Sequence, residues 1–233
     1  MERRKSTIIK ARNLSRIYGS GPGEVVGVRG IDLDILEGEM TILKGNSGSG
    51  KSTLLALLAG LDVATGGEFS VGGLNLGQAT EDELTRYRRE VVGMVFQSFN
   101  LLPTLDALEN VCLPALLAGR PYGTVRQRGI ELLEWLQLGH RLHHLPAHLS
   151  GGEMQRTAIA RALINEPKVI LADAPTGNLD SRNGAIVMEL LTELNRAMGR
   201  TVIIATHSTL ADPFATRTIV LKDGAVTETS CNA

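Results

Sequence analysis

The stretch Gly45-Asn46-Ser47-Gly48-Ser49-Gly50-Lys51-Ser52-Thr53 decides the fold of this 233-residue chain. It matches the pattern G-x-x-x-x-G-K-[ST], in which a glycine-rich loop joins a strand to a helix. The apolar run Met40-Thr41-Ile42-Leu43 precedes it as a buried strand would, and helical apolar spacing follows from Lys51 until Gly60. We therefore expect a strand, a loop and a helix in that order, as in an α/β fold.

The composition of this loop is typical of a phosphate-binding site. Glycines let consecutive backbone N–H groups turn inward around an anion without Cβ clashes, and the following helix adds the positive end of its dipole. In such loops the lysine, here Lys51, reaches the β- and γ-phosphates of a nucleotide, and the hydroxyl of Ser52 ligates Mg²⁺. We therefore expect residues 45–53 to bind a nucleotide, which leaves kinases, GTPases and motors open as classes.

Strand-like and helix-like segments alternate along the rest of the chain, with one interruption. Residues 6–44 are strand-rich, and the interruption is the stretch 105–165, which carries only helical patterns. Apolar spacing predicts further strands at 68–71, 91–96, 169–172 and 202–205, helices at 80–90 and 182–198, and a hairpin at Asp223-Gly224. The sequence therefore predicts one α/β domain over 1–233, with a mostly parallel sheet and a helical subdomain inserted at about 98–155.

Composition excludes several classes of protein. The 24 Lys and Arg residues nearly balance the 25 Asp and Glu residues, so we expect no nucleic-acid-binding surface. Cys112 and Cys231 lack metal-ligand spacing and are predicted to be free thiols in a reducing compartment. The charged start Met1–Lys5 is followed by no apolar stretch, which argues against a secretory signal. The longest apolar run, 54–59, is far short of the roughly 20 residues of a membrane span, so a membrane role requires a partner chain.

A second glycine-rich segment is Leu149-Ser150-Gly151-Gly152-Glu153-Met154-Gln155-Arg156. A serine hydroxyl and two glycine amides at a helix N-terminus can bind an anion, although alone the segment is equally an ordinary N-cap. It resembles the signature motif LSGGxxxR of the ABC ATPases, and the resemblance extends over essentially the whole chain. It implies the P-loop NTPase fold: a RecA-like core with a mostly parallel sheet, an N-terminal antiparallel β subdomain and an inserted α-helical subdomain carrying the signature motif.

The resemblance assigns roles to residues that follow predicted strands. Asp173 matches the Walker B acid, which holds Mg²⁺ through its hydration shell. Gln97 matches the Q-loop glutamine that senses Mg²⁺ and the γ-phosphate, and His207 matches the switch histidine that contacts the γ-phosphate. The run Gly177-Asn178-Leu179-Asp180 resembles the D-loop. Tyr18 takes the place of an aromatic residue that stacks on adenine, which contributes on the order of 1–3 kcal/mol; an ordinary strand-edge tyrosine is the alternative.

The resemblance also implies a dimer. In the family, the signature motif lies too far from the phosphate loop of its own chain to contact the same nucleotide. Ser150, Gly151, Gly152 and Glu153 are therefore expected to complete the site of a second copy, in a two-fold, head-to-tail dimer with two ATP molecules at the interface.

The sequence departs from the family most at one position, with a smaller departure at Ser208, where close relatives often carry Asp. After the Walker B acid the family places a glutamate that polarises the attacking water, and here that position is Ala174. A methyl group can neither accept a proton nor orient water, so we expect this chain to bind ATP and Mg²⁺ and to dimerise but to hydrolyse ATP very slowly. A deliberate replacement of glutamate, made to trap the ATP-bound state, is favoured over natural decay because the neighbouring motifs are intact.

Within the family, residues 99–111 and 171–180 resemble the branch of lipoprotein-release, macrolide-efflux, antimicrobial-peptide-resistance, haem-efflux and FtsE-type ATPases. That resemblance implies a membrane permease on a separate chain and a peripheral place on the cytoplasmic face of the inner or plasma membrane. Phe99, Leu101 and Leu102 either contact a coupling helix of that permease or belong to the core.

Two other functional classes stay open at this point. A soluble ABC ATPase of DNA repair would separate the phosphate loop from the signature motif by a long coiled coil. The gap from Lys51 to Ser150 is only about a hundred residues and has no sustained heptads, which disfavours that class. A non-hydrolysing regulatory ATP-binding subunit is favoured only if Ala174 is natural.

Overall fold

The computed structural model describes residues 6–19 and 21–231, except for the side chain of Pro22. The segment Met1–Lys5, on which the argument against a secretory signal depends, lies outside these residues. The strands are β1 (Thr7–Tyr18), β2 (Val25–Leu36), β3 (Met40–Lys44), β4 (Gly66–Val71), β5 (Leu74–Asn75), β6 (Val92–Val95), β7 (Val169–Asp173), β8 (Thr201–Ala205), β9 (Arg217–Lys222) and β10 (Ala225–Cys231). The α-helices are α1 (Lys51–Leu58), α2 (Glu81–Glu90), α3 (Ala107–Leu117), α4 (Tyr122–Trp135), α5 (Gly151–Leu163) and α6 (Ser181–Arg196).

The larger sheet has the strand order β10-β9-β3-β8-β7-β6. Every neighbouring pair in it is parallel except β9 with β10, which form an antiparallel hairpin. The hairpin turns at Asp223 and Gly224, whose φ angles are 51° and 80°. Positive φ at both central residues is the geometry that an Asp-Gly pair favours, so the predicted turn is confirmed. The prediction of a mostly parallel sheet is confirmed as well.

The smaller sheet is antiparallel, with the order β2-β1-β4-β5. Its side chains alternate as the sequence predicts: Ile31, Leu33 and Ile35 are buried, while Asp32 and Asp34 between them are exposed. This sheet is the N-terminal antiparallel part expected from the resemblance. The short strand β5 was not predicted, because two residues carry no periodic pattern.

Two hydrophobic clusters cover the two faces of the larger sheet. In β7, Ile170 and Ala172 pack with the cluster that includes α3 to α6, whereas Val169 and Leu171 pack with the cluster that includes α1 and the smaller sheet. Because a strand presents alternate residues to opposite faces, a continuous apolar run suits a strand that is covered on both sides. The phosphate loop follows β3, an inner strand of this sheet whose first four residues are all buried.

The helices α3, α4 and α5 lie between β6 and β7, where the sequence predicts the helical insertion. They have 11, 14 and 13 residues, and α5 continues past residue 155 to Leu163. Helices of this length cannot form the long coiled coil of a DNA-repair ATPase. The boundary of the insertion at about 98–155 stays a prediction.

Two further sequence expectations concern membranes and thiols. Within residues 6–19 and 21–231, no helix has the length and apolar character needed to span a bilayer. Cys112 is buried, Cys231 is exposed, and both are free.

Candidate functional site

The glycine-rich loop follows β3 and ends at α1, and its shape depends on glycine at particular positions. Gly45, Gly48 and Gly50 have φ angles of 148°, 79° and 98°. A Cβ atom on Gly50 would overlap the carbonyl oxygen of Gly27, whereas one on Gly48 would meet no described atom within 4 Å. The loop is thus pressed against β2 at Gly50 and open at Gly48, which leaves a concave side for a ligand.

The helix α1 begins at this loop without a side-chain cap, because its N-cap residue is Gly50. The first N–H groups of a helix have no partner within the helix, and together with the dipole they form an anion site. Lys51 lies over the same loop: its Nζ donates to the carbonyl oxygens of Gly45 (2.8 Å) and Asn46 (2.9 Å) and to Ser49 Oγ (3.3 Å). Partial burial lowers the pKa of Lys51, and the negative charge of Asp173 opposes that shift.

A cleft of about 730 Å³ opens beside the loop and collects most of the residues that the sequence predicts to act on a nucleotide. Its predicted members are Tyr18, Asn46, Ser47, Gly48, Ser49, Gly50, Lys51, Ser52, Thr53, Gln97, Asp173, Ala174 and His207. Gln97 follows β6, Asp173 ends β7 and His207 follows β8, and β6, β7 and β8 are parallel neighbours. Ligands of open α/β sheets bind at the carboxyl ends of such strands.

Gly45 does not line this cleft. A Cβ atom there would overlap the carbonyl oxygen of Leu221 and Ser49 Oγ. Gly45 thus packs closely against the end of β9 and allows the loop its shape without lining the cleft. Its place in the predicted nucleotide contacts stays a prediction.

Ala174 has an unusual backbone conformation for a residue with a side chain, with φ at 41°. Its N–H donates to the carbonyl oxygen of Ala205 (2.8 Å), and its own carbonyl oxygen accepts from the N–H of Gly177 (2.9 Å). A left-handed backbone conformation at an alanine costs energy, and these two hydrogen bonds, to the end of β8 and to Gly177, hold it. Among the cleft residues that the structure describes, the side chain at 174 is a methyl group and Asp173 is the carboxylate.

The donors around the loop suit Mg²⁺. Ser52 offers a hydroxyl oxygen, Asp173 a carboxylate and Gln97 an amide oxygen, and all three line the cleft. Mg²⁺ takes oxygen ligands and is usually held by one or two protein groups, with water and phosphate oxygens completing the shell. Within the described chain, no group of three or more His, Cys, Asp or Glu residues has the arrangement of a metal centre.

The signature segment lies away from this cleft. Ser150 is the N-cap of α5 and forms a capping box: Ser150 Oγ accepts from the N–H of Glu153 (3.3 Å), and Glu153 Oε2 accepts from the N–H of Ser150 (2.8 Å). Arg141 Nε donates to Glu153 Oε1 (2.9 Å). Burial opposes the charge of Glu153, but these hydrogen bonds outweigh it and lower its pKa to about 2. None of the four predicted residues 150–153 lines the cleft that contains the phosphate loop of their own chain.

The segment after β6 contains contacts that the sequence patterns did not reveal. Arg161 of α5 donates to the carbonyl oxygens of Phe99 (2.8 Å) and Asn100 (2.5 Å), whose φ angles are 61° and 51°. Asn178 Nδ2 donates to the carbonyl oxygen of Gln97 (3.0 Å). The signature helix and the predicted D-loop thus both hold the segment that begins at Gln97.

The apolar residues of this segment are not part of the buried core. Phe99 and Leu101 are half-buried, and Leu102 is 44% exposed. A carboxamide at Asn110 holds the following turn, because its Nδ2 donates to the carbonyl oxygens of Leu102 (3.1 Å) and Leu105 (2.9 Å). These observations favour a surface role for the segment over a core role.

A glycine-rich loop between the inner strand β3 and the uncapped helix α1 places the molecule among the P-loop nucleotide-binding proteins. Comparison with known proteins narrows that class. A family model described as ABC transporter matches residues 28–177. The chain belongs to this family and is an ABC ATPase cassette that binds ATP.

Similar proteins indicate the branch of the family to which the chain belongs. It is 47% identical to an uncharacterized ABC transporter ATP-binding protein, MJ1508, of Methanocaldococcus jannaschii, over 95% of this chain and 98% of that protein. It is 45% identical to the lipoprotein-releasing system ATP-binding protein LolD of Xylella fastidiosa, over 86% of this chain and 83% of that protein. The macrolide export ATP-binding/permease protein MacB of Wolinella succinogenes is 47% identical over 94% of this chain, which spans only 34% of MacB. The branch predicted from the sequence is therefore confirmed.

A solved structure supports the fold. The ATP-binding cassette MJ0796, described as dimeric, in a post-hydrolysis state and bound to ADP and Pi, superposes with a TM-score of 0.89. The two sequences are 41% identical, and the match covers 96% of this chain and 98% of that one. The predicted α/β P-loop fold is confirmed, and a dimeric relative supports the prediction that ATP drives two cassettes together.

Proposed function

We propose that this chain binds Mg²⁺·ATP in the cleft beside residues 45–53, closes on a second copy of itself, and cleaves ATP very slowly. The observation that carries the proposal is that Gln97, Asp173 and His207 line one cleft together with the phosphate loop, while the remaining position of the set holds Ala174. The residues expected to bind the phosphates and Mg²⁺ thus line one cleft, and the position expected to hold the water-activating glutamate has a methyl group.

Each residue has a role that follows from its chemistry. Lys51, already directed over the loop, places an ammonium group beside the β- and γ-phosphates, and the N–H groups at the start of α1 add donors. Ser52, Gln97 and Asp173 would hold Mg²⁺, which neutralises charge on the phosphates when it is bound. His207, exposed after β8, donates to the γ-phosphate.

The dimer follows from the position of the signature segment. Residues 150–153 lie outside the cleft of their own chain, so a single chain offers a nucleotide only one wall. In a head-to-tail dimer, Ser150 and the N–H groups of Gly151 and Gly152 face the γ-phosphate bound by the partner copy. The dimeric state of the MJ0796 cassette supports this arrangement.

A membrane permease on a separate chain is the proposed partner, at the cytoplasmic face of the membrane. LolD, a separate ATP-binding protein of a lipoprotein-releasing system, supports a cassette that works with other subunits. A cavity of about 230 Å³ beside the segment 97–102 is lined by Arg89, Phe96 and Arg161, among others. Apolar and cationic groups side by side suit a short amphipathic helix that carries acidic residues.

The decisive experiment compares ATP hydrolysis by the unaltered chain and by Ala174→Glu. General bases contribute about 10²- to 10⁴-fold to a rate, so we expect that gain on restoring the carboxylate. Ala174→Gln is the matched control, because the amide has the size of glutamate but cannot take a proton. Rates as high in the unaltered chain as in Ala174→Glu would refute the proposal.

Light scattering tests the dimer in the same samples. The unaltered chain is expected to be dimeric in Mg²⁺·ATP, and Ala174→Glu is expected to return to monomer as ATP is consumed. A chain that stays monomeric in saturating Mg²⁺·ATP would contradict the shared site.

A further inference from the structure

We propose that Arg16 and Asp62 are positioning residues that hold the ring of Tyr18 as a platform for the nucleobase. Through this ring they set how much more tightly the cleft binds a nucleotide than a bare polyphosphate. The inference rests on the proposed binding of a nucleotide in this cleft and on the expectation from the sequence that Tyr18 stacks on the base. It adds two residues that no sequence pattern singled out.

Tyr18 is fixed at its hydroxyl end by Asp62. The phenolic hydroxyl donates to Asp62 Oδ2 at 2.8 Å, across 44 positions of sequence. Tyr18 is the last residue of β1 and is 37% exposed on the wall of the cleft. An exposed ring at a strand end would otherwise sample several rotamers, so this hydrogen bond selects one of them.

Arg16 fixes the same ring from one face. Arg16 and Tyr18 are two residues apart on β1 and therefore lie on the same side of the strand. The guanidinium carbon of Arg16 lies 4.5 Å from the ring centroid, which is the geometry of a cation–π contact. Because Arg16 covers one face, a base that stacks on Tyr18 has to take the other.

Asp62 joins the two side chains. Arg16 Nε donates to Asp62 Oδ2 (3.0 Å), and Arg16 Nη2 pairs with Oδ1 (2.7 Å). The pair is shielded, with 24% and 18% of the two side chains exposed, so water screens it less than a typical surface ion pair. Burial opposes the charge of Asp62, but hydrogen bonds from Tyr18, from the N–H of Val63 and from Arg16 outweigh it and lower its pKa.

The place of Asp62 in the chain connects the platform to the phosphate loop. Asp62 follows the helix α1, which begins at Lys51, so one short helix leads from the phosphate site to the residue that holds the ring. Neither Arg16 nor Asp62 lines the cleft. They are therefore placed to act on a bound nucleotide through Tyr18 and not by direct contact.

Gly27 of β2 packs closely against one edge of the Tyr18 ring. A Cβ atom on Gly27 would lie 2.8 Å from Tyr18 Cε2 and 2.8 Å from Thr53 Cγ2. Such distances are too short for carbon atoms, so any side chain at 27 would displace the ring or the start of α1. The ring is thus confined at its hydroxyl, on one face and along one edge.

The test measures, by calorimetry, binding of Mg²⁺·ATP and of Mg²⁺·tripolyphosphate, which has no base. Tyr18→Ala is expected to weaken ATP binding about 5- to 150-fold, the range for loss of one stacked base. Tyr18→Phe removes only the hydroxyl contact and is expected to weaken ATP binding about two- to tenfold, the range for one hydrogen bond. Asp62→Ala also releases Arg16 and is expected to weaken ATP binding at least as much. Tripolyphosphate binding is expected to stay unchanged in all three.

Two controls separate positioning from general damage. Asp34→Ala breaks the Arg12–Asp34 pair (2.7 Å), which also joins β1 to a neighbouring segment but contacts no ring, and it is expected to leave both affinities unchanged. In a Tyr18→Ala background, Asp62→Ala is expected to have no further effect on ATP, because the residue acts through the ring.

The outcomes distinguish failure of the positioning role from failure of nucleotide binding. If Asp62→Ala weakens tripolyphosphate as much as ATP, or weakens ATP equally without Tyr18, the positioning role is refuted while nucleotide binding stands. If the unaltered chain binds neither ligand, the proposed function fails as a whole. Should Asp62→Ala not fold, Tyr18→Phe alone carries the comparison of ATP with tripolyphosphate.

Discussion

The helices α1 and α5 both begin in glycine-rich segments, yet they satisfy their first N–H groups in different ways. At α1 the N-cap is Gly50, which has no side chain to offer, and the ammonium group of Lys51 lies over the preceding loop. At α5 the N-cap Ser150 and the third helical residue Glu153 cap each other. The start of α1 is therefore open to an anion, whereas the start of α5 already contains an anionic group, the carboxylate of Glu153.

This difference teaches why the two segments have different roles in the proposed dimer. We propose that the N–H groups at the start of α1 and the ammonium group of Lys51 bind the phosphates within one chain. At α5 the carboxylate of Glu153 already occupies part of the positive end of the dipole and is paired with Arg141. We infer that α5 contributes less to nucleotide affinity and acts mainly in closing two chains around a nucleotide that α1 has bound.

The largest effect that would test this contrast is expected at Lys51. Lys51→Ala removes a charge-assisted contact to phosphate, which corresponds to about a 10- to 150-fold loss of ATP affinity. Titration with ATP, at a protein concentration at which light scattering shows only monomer, measures it. Lys10→Ala on the exposed side of β1 is the control for loss of one lysine. If Lys51→Ala binds ATP as tightly as Lys10→Ala does, α1 is not the stronger phosphate site.

The next test concerns the two glycines at the start of α5. A Cβ atom on Gly152 would overlap Oδ1 of Asn183, whereas one on Gly151 would lie 3.4 Å from Leu179 Cδ2 in ordinary contact. We expect Gly152→Ala to lower the free energy of unfolding by about 1–3 kcal/mol, as overpacking does. Gly151→Ala is the matched control and is expected to change it by less than about 1 kcal/mol. Equal effects of the two in urea denaturation would show that α5 is not packed tightly against α6.

The start of α5, unlike that of α1, contains a carboxylate, Glu153, whose contribution to stability depends on pH. The pKa of Glu153 is about 2 in the folded chain against an ordinary value of 4.5. A lowered pKa means that the carboxylate stabilises the fold above pH 4.5, and that this contribution is lost as the pH falls from about 4.5 towards 2. We expect Glu153→Gln to lower stability on the order of 2 kcal/mol at pH 7 and by much less near pH 2.

The control for this pH effect is Glu131→Gln. Glu131 pairs with Arg128 at 3.5 Å on the surface of α4, and its side chain is 50% exposed. Exposed pairs contribute about 0–1 kcal/mol, so only a small and nearly pH-independent change is expected. A pH dependence as large in Glu131→Gln as in Glu153→Gln would contradict the special role of the capping carboxylate.

The sequence predicts the fold and the uncapped start of α1 better than it predicts the contacts at the capped start of α5. The apolar runs at 40–43, 169–172 and 202–205 all become buried parallel strands, because both their faces are covered and the pattern is continuous. Residues that follow such strands meet at one edge, which is why Gln97, Asp173 and His207 share a cleft.

What the sequence did not predict depends on contacts between distant segments. The Tyr18–Asp62 and Arg161–Phe99 hydrogen bonds join residues that are 44 and 62 positions apart, and no periodicity connects them. The capping box is different, because Ser150-x-x-Glu153 has the spacing of that motif and could have been recognised. The left-handed backbone at Ala174 had no signal, since alanine is not a residue type that favours positive φ.

The smallest expected effect concerns the cap of α5 itself. Ser150→Ala removes the hydroxyl that accepts from the N–H of Glu153, and loss of such a cap typically costs about 1 kcal/mol of stability. Ser150→Thr keeps the hydroxyl and is expected to unfold at nearly the same urea concentration as the unaltered chain. In the monomer both variants should bind ATP normally, because Ser150 lies outside the cleft of its own chain. If Ser150→Ala weakened ATP binding in the monomer, α5 would belong to the same nucleotide site as α1, and the division between an open and a closed helix start would be wrong.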